Sequence, residues 1–284
     1  MEKHAYLILC HEVTEVLKVL LHQLDDERND IYLHFDKKAS IPVEKLKELS
    51  VKRAQLQVLP NPVAVYWAHT SLMEAELLLL RTASADGPHA YYHLLSGSDL
   101  PIKTQDEIHT FFQENQGREF VEYWNDEKSQ YDALRRVRYY YVFNRYKKRA
   151  SFWIHAFTTP IRNIFLIMQK LAGWNRLRGK EIEIKKGSQW FSITEACCRY
   201  VLDHESDIYR LFHHTLCPDE LFLQTIVWNS PFRKALYNID NPHLGSMRAI
   251  DWDRGNPYVW QKTDMDYLIS SPYLFARKFA EPIL

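Results

Sequence analysis

Ala5-Tyr6-Leu7-Ile8-Leu9-Cys10, then His11 to Leu24, then Ile31-Tyr32-Leu33-His34-Phe35 closed by Asp36-Lys37-Lys38, is the stretch that decides the fold. Six consecutive apolar residues fit a strand covered on both faces. In the segment that follows, Val13, Val16, Leu17, Leu20, Leu21 and Leu24 recur at helical spacing. A strand, a helix and a second strand within so short a span form a βαβ unit. That unit argues for a parallel sheet with ligands at the carboxyl ends of its strands. Outward from it, Leu56–Leu59 and Tyr91–Leu95 read as further strands and Ser71–Arg81 as an apolar helix. Beyond Phe120 the pattern loosens. Short strands are expected at Phe120–Tyr123, Tyr139–Phe143 and Gln189–Ile193, one or two amphipathic helices over Ser151–Leu171 around Pro160, and a helix over Asp219–Trp228, ahead of the tail Ser271–Leu284. The expected class is α/β with a mixed, mostly parallel sheet in a single domain, 1–284, with a nucleotide-binding half at 1–118 and a second half at 119–284.

Composition bounds the function. The 284 residues are 46% hydrophobic and 25% charged, which excludes a disordered chain, and the formal net charge is zero. That balance hides an asymmetry: Ala133 to Lys180 holds 12 Lys or Arg and no Asp or Glu. Such a segment either pairs with acids elsewhere in the fold or faces an anionic surface. Cys10, Cys197, Cys198 and Cys217 have no framework spacing and read as reduced thiols of a cytoplasmic protein. The apolar run near the start is too short for a signal peptide or a membrane span. His213-His214 with Cys217 lacks the four spaced ligands of a structural zinc site. Ser96-Gly97-Ser98 is neither a P-loop nor a nucleophile elbow.

Four stretches are more specific than composition: Tyr91 to Thr104, containing Ser96-Gly97-Ser98-Asp99-Leu100-Pro101; Gly187-Ser188-Gln189-Trp190-Phe191; Pro218-Asp219-Glu220 with Gln224-Thr225; and Leu274-Phe275-Ala276-Arg277-Lys278-Phe279. In this order the chain resembles the core-2/I-branching N-acetylglucosaminyltransferase and peptide O-xylosyltransferase family, glycosyltransferase family 14. The similarity also touches Ile31–Lys38, Trp67–Glu76 and Arg248–Trp252. The resemblance implies a GT-A fold in which 119–284 is the acceptor-binding, catalytic half, an inverting mechanism and independence from a divalent metal.

It also implies roles. Glu220 matches the catalytic base, and a carboxylate at the start of a helix is a suitable proton acceptor; the adjacent Asp219 could serve instead or cap the helix. The growing charge on a UDP leaving group needs a cation. In this family two basic side chains stand where other GT-A enzymes hold a metal on Asp-x-Asp, and they match Arg248 and Lys278. The literal strings Asp251-Trp252-Asp253 and Asp264-Met265-Asp266 lie too late in the chain for a metal motif and read as turn chemistry. Asp36 matches a position that contacts the nucleoside, with Leu9 and Cys10 beside it, although an aspartate after a strand is also an ordinary turn residue. Asp99 is expected to organise the loop under the donor sugar. Glu122 and Trp124 stand where the branching enzymes bind acceptor, and Trp190 and Trp67 offer plates for a pyranose or, alternatively, core packing.

The expected activity is transfer of N-acetylglucosamine from UDP-GlcNAc to a glycan hydroxyl, with no cofactor beyond that donor. Transfer from UDP-xylose is the rival within the family, and a catalytically silent sugar-nucleotide or glycan binder is the rival outside it. Animal members carry a membrane anchor and disulfides, so the chain reads as a bacterial-type member acting on a surface polysaccharide or lipid-linked glycan. No nucleic-acid partner is expected. Residues 135–180 alternate cationic clusters, Arg135-Arg136-Arg138 and Lys147-Lys148-Arg149, with Phe152, Trp153, Phe157 and Trp174, a pattern suited to peripheral contact with the inner membrane face.

Overall fold

A computed structural model describes residues 2–147 and 151–283; Lys148 and Arg149 of the second basic cluster lie outside the described residues. In chain order the elements are β1 (His4–Cys10), α1 (Glu15–Gln23), β2 (Asn29–Phe35), α2 (Val43–Lys47), β3 (Gln55–Val58), α3 (Ser71–Asp86), β4 (Tyr91–Ser96), β5 (Asp99–Pro101), α4 (Gln105–Glu114), β6 (Phe120–Val121), α5 (Glu127–Arg138) and α6 (Phe152–Leu171). They continue with β7 (Phe191–Thr194), α7 (Glu195–Asp203), α8 (Glu205–Phe212), α9 (Phe222–Trp228), α10 (Pro242–Gly245), β8 (Arg248–Ile250), α11 (Met265–Ser270) and β9 (Phe275–Arg277).

The main sheet has the order β3-β2-β1-β4-β7-β6. Its first four strands are parallel, and β7 and β6 add on in antiparallel fashion, so the sheet is mixed and mostly parallel as expected. Alternation along β1 explains its unbroken apolar run. Ala5 and Leu7 enter one core with α3, α7 and α9, while Tyr6, Ile8 and Cys10 enter another with α1 and α4. The helical face read from the sequence is the one α1 buries, through Val16, Leu17, Leu20 and Leu21, and the Thr14 hydroxyl caps it by accepting from the Leu17 amide at 3.1 Å. β7 comes from the second half of the chain yet pairs with β4 of the first, so the two halves share one sheet.

A smaller sheet, β5-β9-β8, packs at the carboxyl edge. It runs β9 antiparallel to β5 and parallel to β8, which brings the tail back beneath the Ser96–Asp99 loop.

Two expectations need correction, those for Tyr139–Phe143 and Asp219–Trp228. Tyr139–Phe143 is not a strand: its carbonyls and amides bond to side chains and loops, with Tyr141 N donating to His214 O and Tyr140 held on both sides by Gln169, and Phe143 is left-handed at φ 58°. Of the one or two helices expected over Ser151–Leu171, one forms, Phe152–Leu171, with Pro160 inside it and the Ser151 hydroxyl as its cap. Asp219–Trp228 is broken into a 3-10 turn at Pro218–Glu220 and the helix α9, the two meeting at Leu221, whose backbone at φ −132° and ψ −41° is not helical.

Candidate active site

The parallel strands all end on one edge, and β7 begins there, so Cys10, Asp36, Ser96 and Trp190 follow or precede strands at the same edge. The Lys186-Gly187-Ser188 stretch crosses it. Trp124 N donates to Lys186 O at 2.8 Å and Gly187 N to Glu220 O at 3.1 Å, which stitches the β6 exit to the Pro218–Glu220 turn. A Cβ on Gly187 would stand 1.8 Å from the Glu122 carbonyl oxygen, so only glycine allows this close approach.

Glu220 and Asp219 are neighbours in different surroundings. The Glu220 side chain is 29% exposed; Arg136 Nη1 lies 2.6 Å and Lys186 Nζ 3.8 Å from its Oε2, and no described residue bonds its Oε1. Asp132 accepts from Arg136 at 2.7 Å and from Lys186 at 2.9 Å, which fixes both cations. Asp219 is buried, one of its oxygens has no partner, and burial together with the Glu220 charge pushes it up to about 7. Behind it Glu76 is fully buried, held by Gln189 at 3.4 Å through one oxygen only, and raised well above the carboxylate range by burial first and the Asp219 charge second. Asp132, Lys186 and Glu76 were not singled out from the sequence, and Arg136 was read there only as part of a basic cluster suited to a membrane, whereas it pairs with Asp132 and Glu220. Glu76 closes a stretch touched by the family similarity, and Lys186 directly precedes the Gly187–Phe191 motif, which are the signals that pointed near them.

Asp99 organises its loop. Its carboxylate accepts from Ser96 N and Ser96 Oγ, each at 2.8 Å, and pairs with Arg277 Nη1 at 2.6 Å. The Arg277 guanidinium also lies 4.3 Å from the centre of the Trp190 ring. Trp190 is therefore a buried plate, 5% exposed and already covered by a cation, which corrects its reading as an open platform for a sugar. Trp67 stays half-exposed, with the Lys147 ammonium 5.3 Å from its ring.

Glu122 likewise faces inward. It accepts from Trp124 Nε1 at 2.5 Å and Ser246 Oγ at 3.4 Å, and burial pushes it up to about 7, so in this structure it orients Trp124 instead of meeting solvent. Trp124 is half-buried, with Lys186 Nζ 4.9 Å from its ring centre.

Arg248 and Lys278 separate. Arg248 is buried, and its terminal nitrogens donate to Ser192 Oγ, Ser246 O, Leu94 O and Phe191 O inside the fold, while its Nε is buried without a partner among the described residues. Burial pulls its guanidinium down to about 9, still protonated at neutral pH. Lys278 is half-buried, with no side-chain partner among the described residues. Arg277, chosen by geometry and not by sequence, is the second partly exposed cation of that strand end.

Asp36 accepts from Lys38 N at 3.0 Å and Val65 N at 3.1 Å, which closes the turn after β2 and tethers the loop crossing it. Cys10 is buried against Gly97, and burial raises its thiol out of reach of ordinary titration. The two Asp-x-Asp strings are turn chemistry: Asp251 accepts from the Asp253 and Arg254 amides at 2.9 Å, and Asp264 caps Gln261 and pairs with Arg254. Among the described residues no group of three His, Cys, Asp or Glu could hold a metal ion.

The family model for the Core-2/I-Branching enzyme matches residues 4–271. Rat xylosyltransferase 2 is 24% identical over 98% of the chain, and human xylosyltransferase 1 is 21% identical over 97%. The chain spans about a third of the length of these relatives, 32% of the rat protein and 28% of the human one. Among solved structures, mouse xyloside xylosyltransferase 1 in its apo form aligns over 96% of this chain and 97% of its own at a TM-score of 0.40 and 13% identity.

Proposed function

The chain belongs to the Core-2/I-Branching enzyme family, and on that premise we propose that it moves a sugar from a UDP-sugar to a carbohydrate hydroxyl, inverting the anomeric carbon, with Glu220 as the general base. The observation that carries this is the contrast within the acidic pair: Glu220 reaches the surface, held by Arg136 and Lys186 on one oxygen, while Asp219 is buried. A base must touch the hydroxyl it deprotonates, and only Glu220 can. Fixing one oxygen with two cations leaves the other in a defined orientation for the acceptor proton.

The leaving diphosphate in this reading is met by Lys278 and Arg277, with Arg248 one layer below as a fixed positive charge and not a contact. No divalent metal is required. The nucleoside lies across Asp36 and the backbone at Cys10, the donor sugar over the Asp99 loop, and the acceptor beside Trp124. N-acetylglucosamine is the first candidate for the sugar; the names of the relatives favour xylose as the second.

Replacing Glu220 with Gln keeps the shape but removes the proton acceptor. Transfer should fall by about 10²–10⁴-fold while UDP binding, read by calorimetry, stays within a small factor of the parent. Full turnover in this variant would remove Glu220 from the role. Calorimetry against UDP-GlcNAc and UDP-xylose then decides between the two donors.

A further inference from the structure

The helix α6 is built inside out. In a globular helix the apolar stripe is buried and the polar face is wet. Here the residues buried are Thr158 and Gln169, whereas Trp153, Phe157, Ile164, Met168 and Leu171, which share one helical stripe, are each more than half exposed. Trp153 reaches 79% and Leu171 83%. A contiguous apolar surface of this kind marks an interaction site.

The charge around it says what covers it. Between Ala133 and Lys180 there is no acidic residue, and among the described residues only Arg135 and Arg136 of this segment form ion pairs. Arg145, Lys147, Arg162, Lys170, Arg178 and Lys180 have no acidic partner among the described residues, so internal neutralisation does not account for the excess. A second copy of the chain would bring the same positive charge against itself on symmetric pairing. An anionic lipid surface satisfies both halves of the patch, because apolar and Trp side chains enter the acyl boundary while Lys and Arg meet headgroups.

We propose that α6 is an interfacial helix that docks the protein on the surface of an anionic lipid bilayer. No described helix is long and apolar enough to cross a membrane, so the contact lies in the plane of the interface. Gln169 ties α6 to the Tyr140 backbone through bonds of 2.8 and 2.9 Å, and Tyr140 follows the helix α5, whose Arg136 holds Glu220. Docking therefore sets the height of the candidate base above the lipid and favours an acceptor anchored there. This last consequence rests on the sugar-transfer reading; the docking itself does not.

The test is cosedimentation of the full chain with vesicles of phosphatidylcholine alone and of phosphatidylcholine mixed with phosphatidylglycerol, at low and high salt. Binding to the anionic vesicles is expected, reduced by salt but not abolished, since the apolar stripe contributes independently of charge. Phe157→Glu and Leu171→Glu should each release the protein while leaving thermal unfolding and UDP binding unchanged. Lys170→Gln and Arg178→Gln should each lower partitioning about fivefold. Protein that remains in the supernatant with both vesicle types would overturn the proposal. So would Phe157→Glu binding as well as the parent, or a vesicle-free dimer in sedimentation velocity that Phe157→Glu dissociates.

Discussion

Asp219 carries a cost that its neighbour Glu220 avoids, and the cost has a sign. Burial and the Glu220 charge push Asp219 from the ordinary aspartate range up to about 7, so folding takes up a proton between about pH 4 and pH 7. Stability from this group therefore falls as pH rises through that window and stays low above it. Asp219→Asn should flatten the decline, with an unfolding temperature at pH 8 closer to its pH 5 value than in the parent; an unchanged slope would show that Asp219 is not the titrating group. Glu220, Asp99 and Lys278 were legible because they stand in motifs that keep their order. Arg136 was not, because it meets Glu220 across 84 positions and local sequence carries no sign of such a pair. Arg248 was placed at the diphosphate by the resemblance, and its burial was not legible, because three of the four acceptors that hold its terminal nitrogens come from strands distant in sequence.

At the scale of elements, the Lys186–Ser188 crossing depends on the absence of one side chain. Gly187→Ala would drive a methyl into the Glu122 carbonyl, so either the crossing or the β6 exit must move. A loss of at least about 1–3 kcal/mol is expected in denaturant unfolding, as for overpacked cores, with transfer activity falling further than stability because Gly187 N holds the Glu220 carbonyl. An alanine variant as stable and active as the parent would mean that this approach is not needed. Elements with two covered faces or a clean helical stripe, β1, α1, β2 and β4, were legible from periodicity. Tyr139–Phe143 was not, because its run of aromatic and apolar residues resembles a strand while Tyr140 serves loop contacts to Gln169, Arg176 and His214. The helix α6 was foreseen as amphipathic, but which side it buries depends on Gln169 finding Tyr140, and no hydrophobic period encodes that.

Across the whole molecule, the acid side of the stability curve is set at the opposite edge of the sheet. His4, His93 and His109 form a buried group, with His93 Nε2 3.0 Å from His4 Nδ1 and His109 Nε2 2.9 Å from Asn29 Oδ1. Burial holds all three below the usual histidine value, His109 at about 4. They are neutral when folded and protonate when unfolded, so stability present above about pH 6.5 is lost as pH falls, by up to about 1.4 kcal/mol per pH unit per group. The buried carboxyls of Asp219, Glu76, Glu119 and Glu122 act in the opposite direction from about pH 4 upward, so the two sets offset each other up to about pH 6.5, and above it only these carboxyls act and stability falls. Thermal unfolding across pH checks it, and an unfolding temperature that still rises between about pH 6.5 and pH 7 would contradict it. Activity should also survive excess EDTA, since cations of the chain itself are proposed to meet the diphosphate; a loss that manganese restores would return a metal to the mechanism.

The small sheet has a central strand, β9, that pairs with both β5 and β8. β5 is joined through Asp99 and Arg277, partners 178 residues apart in the chain. Synthesis delivers β5 and β8 before β9, so neither can take its place in the small sheet until β9 has been made. The six-stranded sheet can mature during synthesis, but the seat of Asp99 closes only after residue 277 has emerged. Nascent chains stalled before that point would carry the strands of the larger sheet with an open Asp99 loop, an assembly order set by the sequence separation of β5 and β9.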